Sequence, residues 1–274
     1  MWQAFGHKNQ KKLLDSAIAN NQYAHAYLFC GPSAVGKKAL ALEFAGKILG
    51  AGSAGGNVNP DLIILDQPPK IEDIRNLISA LSLKPYFYER KVAIIDNFEN
   101  ATSEAANGIL KTLEEPNSST VIILVARSIK AVLPTIASRA QVVNFGRLSQ
   151  DEMAQAAHKE AEKYLALFNG RIGKLVGFQE NEDSRKKSKA DWDALEKVKS
   201  LSGASRLSFM KGFAEMEAEE LARLLDNWTD VEHSGLKNRP RAYKNLRLFI
   251  NAAEGLRRNF NKKLILERVL LELA

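Results

Sequence analysis

The stretch "HAYLFCGPSAVGKKALALEF" (residues 25–44) decides the fold. Ala26 to Cys30 is a short apolar run suited to a buried strand, a glycine-bearing loop follows, and a helix begins near Lys37. Strand, glycine loop and helix in that order form the phosphate-cradling P-loop, whose pattern is GxxxxGK followed by Ser or Thr. Gly31, Gly36 and Lys37 satisfy the pattern, but position 38 is a second lysine. Backbone N–H groups of such a loop and the positive end of its helix favour an anion. Lys37 is placed to meet the β- and γ-phosphates, and the missing hydroxyl is the group that holds the magnesium ion. Lys38 cannot replace it, because an ammonium has donors only and repels a cation.

Outward from the P-loop, strand-like and helix-like segments alternate. "KKALALEFAGKILG" has helical spacing and ends in glycine, "AGSAGGNVNP" (51–60) is a small-residue connector, and "DLIILD" is a short apolar run. "IEDIRNLISALSL" is an amphipathic helix with Ile71, Ile74, Leu77, Ile78 and Leu81 as its stripe. "KVAIIDNFE" is a continuous apolar strand closed by an acid, and "TSEAANGILKTLEEP" reads as one capped helix that stops at Pro116. "TVIILVA" and "AQVVNF" are two more buried strands. Continuous apolar strands separated by helices predict a parallel sheet covered on both faces. From about Leu148 onward no strand is expected: short helices turn at Asn169–Gly170, the polar "NEDSRKKSK" (181–189) is a linker or helix start, and amphipathic helices follow.

Composition fits this reading. The chain has 274 residues, 45% of them hydrophobic and 26% charged, which suits a globular protein of two or three domains or one large one. The sole cysteine, Cys30, excludes an intrachain disulfide and a cysteine-rich zinc cluster, and is expected to be a buried structural thiol. "MWQAFGHKNQKK" has no apolar signal core and no stretch approaches about 20 apolar residues, so a soluble, cytoplasmic protein away from membranes is expected. The net charge of +7 favours an anionic partner, and the basic residues gather in "SRKKSK" (184–189), "LKNRPRAYKNLR" (236–247) and "LRRNFNKK" (256–263). Charge alone leaves solvated helix faces and nucleic-acid contact both open.

The second part of a nucleotide site belongs at the end of "VAIID". Asp96 is placed as the magnesium-associated acid of a Walker B strand. The residue after it is Asn97, which cannot act as a base, and Glu99 is a weak substitute two positions further on. Two separate catalytic positions thus carry the wrong chemistry, which argues against hydrolysis at this site. His25, before the strand, reads as a structural residue, since no nucleophile accompanies it.

"HAYLFCGPSAVGKKALALEFA", "IRNLISALSLKPY", "KVAIID", "EAANGILKTLEEP", "LPTIASRAQVV" and the closing "LRLFINAAEGLRRNFNKKLILERVLLEL" together resemble the delta-prime family of bacterial clamp-loader subunits, part of the DNA polymerase III holoenzyme. The likeness covers nearly the whole chain and is weakest over 150–235. It implies an AAA+ α/β domain over 1–147, a small helical lid over 148–184 and an all-α collar over 185–274. It also implies that Arg139, preceded by Ser138, matches the clamp-loader arginine that reaches the ATP of the adjacent subunit, with Ala140 in place of the family's cysteine. The related gamma/tau subunit normally carries Lys-Thr or Lys-Ser in its P-loop and an Asp-Glu pair after its Walker B strand.

Other departures point the same way. The interval "LGAGSAGGNVNPDL" lacks the four cysteines of the family's zinc module, so no zinc is expected. Gly173 and Lys174 stand where gamma carries its lid arginine, with Arg171 out of register, and Ala126 and Arg127 stand where active relatives place a polar sensor. The resemblance therefore implies a subunit that does not turn over ATP itself and supplies Arg139 to a neighbouring gamma/tau site. Its expected partners are gamma/tau and delta in a hetero-pentamer, with the sliding clamp and primed DNA reached through the complex. Gly31, Gly36, Lys37, Lys38 and Asp96 form a degenerate nucleotide site at which residual ATP, ADP or phosphate binding stays open. The alternatives are a catalytically active gamma-like AAA+ ATPase and an independent nucleic-acid-binding ATPase.

Overall fold

A computed structural model describes residues 2–50, 59–202, 205–206, 208–209, 212–236 and 241–273. They fall into two compact units, Met1–Leu148 and Ser149–Ala274. The first unit is built on five parallel strands: β1 (Ala26–Cys30), β2 (Leu62–Leu65), β3 (Lys91–Ile95), β4 (Thr120–Ala126) and β5 (Gln141–Asn144), in the order β2-β3-β4-β1-β5. These are the five runs expected from the sequence. In the centre, β1, β3 and β4 are buried along their whole length, which is why they read as unbroken apolar runs.

Side chains alternate across the sheet into two cores. Tyr27 and Phe29 of β1 face α1 (Lys8–Ala19) and α2 (Lys37–Ile48), where they meet Leu14, Leu40 and Phe44. Ala26, Leu28 and Cys30 face α3 (Ile71–Ser82), where they join Ile74, Leu77 and Ile109. The second core contains the small residues Ala26, Ala93 and Ala126 on the strands. Burial pushes the Cys30 thiol up to about 11, as befits a packing residue.

The segment expected as one helix from Thr102 to Glu115 is two, α4 (Ser103–Gly108) and α5 (Leu110–Glu114), broken at Ile109. Gly108, a weak helix former, marks the break; it lies so close to α3 that a Cβ there would come within 2.9 Å of Ile71. A short helix α6 (Pro134–Ala137) precedes β5. The connection into β3 is fixed by Asp61, fully buried, whose carboxylate accepts the backbone N–H groups of Tyr86, Phe87 and Tyr88 at 2.7–3.2 Å.

The second unit is helical among the described residues: α7 (Gln150–Ala156), α8 (Leu165–Phe168), α9 (Ile172–Glu180), α10 (Glu182–Ser200), α11 (Ala218–Gly235), α12 (Arg241–Arg257) and α13 (Lys262–Glu272). Residues 184 and 185, where the sequence reading divides lid from collar, both lie within α10, so a single helix continues across that point. The polar 181–189 segment is its start: the Asn181 side chain accepts from the Ser184 N–H. The core around α11 is built on Trp228, fully buried, with Phe213 and Phe249 beside it and its indole N–H donating to the Asp191 carbonyl at 2.9 Å. Trp228 is thus a packing residue of the helical core.

α11 also carries the polar ties of this unit. Arg223, Asn227 and Asp230, at helical spacing, share one face. Asp230, 2% exposed, receives Lys174 at 2.8 Å, Arg171 at 3.2 Å and the Asn169 amide at 3.3 Å. Asp191 takes Arg223 at 2.8 Å and the Asn227 amide at 2.6 Å. No helix among the described residues is long and apolar enough to cross a membrane.

Candidate functional site at the carboxyl end of the sheet

In an open parallel sheet, ligands approach the carboxyl ends of the strands near the point where the strand order reverses. Here β1 lies between β4 and β5, and the loop 31–36 leaves from its end. The sheet ladder runs into this loop: the Gly31 N–H donates to the Ala126 carbonyl at 3.2 Å and Phe145 N–H to the Cys30 carbonyl at 2.6 Å. Gly31 is required by space, since a Cβ would fall 2.2 Å from the Phe145 carbonyl oxygen. Gly36 is required by conformation, with φ 99° at the N-cap of α2. The P-loop expected from Gly31, Gly36 and Lys37 is thus built in full as backbone.

Its charged groups are committed elsewhere. Lys37 is buried, and its ammonium donates to the Gly31 and Pro32 carbonyls at 2.7 and 2.6 Å. Burial lowers its pKa, against which the nearby Glu99 and Asp96 carboxylates act. Lys38 reaches out to the ends of two strands: its Nζ lies 2.8 Å from Asp66, after β2, and 3.7 Å from Asp96, after β3. The Asp66 hydrogen bond raises the Lys38 pKa, so the ammonium stays charged. Asp96 also accepts from the Asn97 N–H at 2.8 Å.

These residues do not fit a magnesium-bound nucleotide. A divalent ion next to Asp96 needs the carboxylate and a neighbouring hydroxyl oxygen. Here one charge-bearing ammonium replaces both the hydroxyl and the ion. Lys38→Thr is expected to tighten Mn²⁺ binding at Asp66 and Asp96 by at least about tenfold, equivalent to about 1.4 kcal/mol. Titration calorimetry checks this, and equal Mn²⁺ affinity in both proteins would remove Lys38 from the role of built-in cation.

The remaining positions divide clearly. Asn97 takes the left-handed conformation, φ 51°, and directs no base toward the loop. Glu99 is 7% exposed and its carboxylate is 3.0 Å from Arg127 Nε, so the residue at the expected sensor position is tied to the substitute acid. Ala126 is buried in the core, and the His25 carbonyl accepts from the Ile122 N–H, while the His25 Nε2 is buried without a hydrogen-bond partner among the described residues. Arg171 and Lys174, the residues nearest the expected lid arginine, both turn to Asp230. The interval in which no zinc module is expected lies partly outside the described residues, at 51–58.

Arg139 follows α6 and joins a different cluster. Its guanidinium pairs with Glu114, at the end of α5, at 2.6 Å, and donates to the Thr135 carbonyl at 2.8 Å and the Ser138 hydroxyl at 3.3 Å. The pair is at the surface, with side chains 34% and 49% exposed. Two partners were not singled out from the sequence, Asp66 for Lys38 and Glu114 for Arg139. A signal for Asp66 existed, because "DLIILD" and "KVAIID" are parallel strands that both end in aspartate.

The sequence profile of the family described as "DNA polymerase III, delta subunit" matches residues 6–149, just over half of the chain. The chain belongs to this family. Among curated relatives of this DNA polymerase III family member, DNA polymerase III subunit delta' of Pseudomonas aeruginosa is 32% identical over 192 residues, covering 59% of this chain and 57% of its own length. Subunit delta' of Bacillus subtilis is 28% identical over 197 residues, 63% and 59% of the two lengths. Subunit tau of Bacillus subtilis is 28% identical over 171 residues, 56% of this chain and 30% of tau. The chain therefore spans well under two thirds of these relatives. The crystal structure of a DNA polymerase III gamma subunit-related protein from Thermotoga maritima matches with a TM-score of 0.64 at 19% identity, over 94% of this chain and 97% of that one. That likeness concerns the fold, which is the α/β AAA+ fold with a helical C-terminal region.

Proposed function

We propose that this chain is a delta-prime-type clamp-loader subunit that does not hydrolyse ATP and completes the ATP site of a neighbour. The observation that carries the proposal is Lys38 seated on Asp66 and Asp96, where catalysis needs a hydroxyl and a divalent ion. Asn97 in place of a base, the Arg127–Glu99 pair and the inward-turned Arg171 and Lys174 support it. Relatives named delta' fit the assignment, although gamma/tau subunits are similar to the chain at comparable identity.

In this reading the P-loop keeps its backbone as a scaffold, and Arg139 contributes its guanidinium in trans to a gamma/tau-bound ATP. The helices of the collar, divided from the lid within residues 149–274, join gamma/tau and delta in a hetero-pentamer. The assembly opens the sliding clamp and places it on primed DNA in the cytoplasm, and this chain needs no cofactor of its own. The test is to assay the chain alone with ATP and magnesium, then mix it with gamma/tau and delta and measure the mass. The expected result is no turnover alone and a stable complex on mixing. Turnover by the isolated chain that Lys37→Ala abolishes would identify a gamma-like ATPase instead.

A further inference from the structure

The basic run "SRKKSK" (184–189) is not used by the function proposed above, and part of it faces a cavity in the second unit. The cavity has a volume of about 310 Å³ and is lined by α8, α9, α10 and α11. Ser184, Lys187 and Ser188, spaced i, i+3 and i+4, stand together on α10. Arg223 and Asn227 line it from α11 and Lys174 from α9, while Leu167 and Phe168 beneath it are almost fully buried.

The charges around this cavity do not cancel. Lys174 and Arg171 share Asp230, and Arg223 is held by Asp191. Lys187 has no ion-pair partner among the described residues, and no carboxylate lines the cavity. Three cations thus line the cavity, and one of them, Lys187, is left without a carboxylate partner among the described residues. Such a lining suits an anionic group such as a phosphate monoester. Arg223 uses one of its five donors on Asp191, and the hydroxyls of Ser184 and Ser188 are free to donate. Gly177 of α9 lines the opening, and a Cβ built there meets nothing within 4 Å.

We infer that this cavity binds a phosphate monoester of about the size of a nucleoside monophosphate. The phosphate sits between Lys187, Arg223 and the two serine hydroxyls. Such a group has two sources, a free nucleotide or the 5′-phosphorylated end of a nucleic-acid strand. The site is separate from the P-loop and does not depend on the proposed function.

Calorimetric titration of the full chain with deoxyadenosine monophosphate, with deoxyadenosine, and with a short oligonucleotide carrying or lacking a 5′-phosphate tests it. The phosphorylated member of at least one pair is expected to bind at least about tenfold tighter than its unphosphorylated partner, since charge-assisted hydrogen bonds are the strong ones. Preference for the mononucleotide identifies a free ligand, and preference for the oligonucleotide identifies a strand end. Lys187→Ala is expected to weaken that binding at least about tenfold, and Gly177→Leu, which fills the cavity from a position of open space, to abolish it while the unfolding midpoint is kept. No binding, no preference for phosphate, or binding that survives both substitutions overturns the assignment.

Discussion

In a clamp loader assembled from this chain with gamma/tau and delta, Arg139→Ala is expected to lower turnover at the ATP site it faces by about 10³-fold or more. The site is isolated by using gamma/tau subunits whose own matching arginines are alanine, and turnover is read by rapid quench. The magnitude decides whether the Glu114 pair is an obstacle. An exposed ion pair is worth about 0–1 kcal/mol, whereas a rate effect of about 10³ corresponds to about 4 kcal/mol. Arg139 is part-exposed, so exchanging Glu114 for a phosphoryl group costs little beside the gain. Arg139→Lys keeps the charge but loses the planar fork, and is expected to recover only a small part of the rate. Unchanged turnover with Arg139→Ala would remove the trans role and leave Arg139 as a surface partner of Glu114.

Asp230→Ala is expected to destabilise the second unit by about 3–5 kcal/mol, the usual cost of removing one member of a buried ionic group. Asp230 is the common acceptor for Arg171, Lys174 and Asn169, and it is 2% exposed. Its loss leaves two cations with little water to replace it. Desolvation already lowers the Lys174 pKa, and the Asp230 carboxylate is the main opposing influence. Denaturant unfolding checks the effect, with Trp192 and Trp228 as probes in this unit. A loss below about 1 kcal/mol would place the cluster with ordinary surface ion pairs.

The strands were legible because burial on both faces leaves a local mark, an unbroken apolar run. The P-loop was legible because its glycines and lysine keep a fixed local spacing, with Gly36 answering a φ of 99°, whereas the approach of Phe145 that requires Gly31 comes from the end of β5, far away in the chain. The helix break at Ile109 was not, because "TSEAANGILKTLEEP" has good local helix character apart from Gly108. The continuity of α10 across residues 184 and 185 was equally hidden, since the polar 181–189 run reads as well as a linker as it does as a helix start.

By itself, then, the sequence determined a parallel α/β domain, a loop that keeps the P-loop backbone, and the replacement of hydroxyl and base by Lys38 and Asn97. Only the tertiary structure decided what those replacements do. Lys38 and Asp66 are 28 positions apart, yet meet at 2.8 Å because β2 and β3 run parallel and end side by side. Arg139 and Glu114 meet because α5 and α6 are neighbours, and Lys174 reaches Asp230 because α8 packs against both α9 and α11. Local periodicity records which face of an element is buried; the partner of a charge depends on elements brought together across the fold.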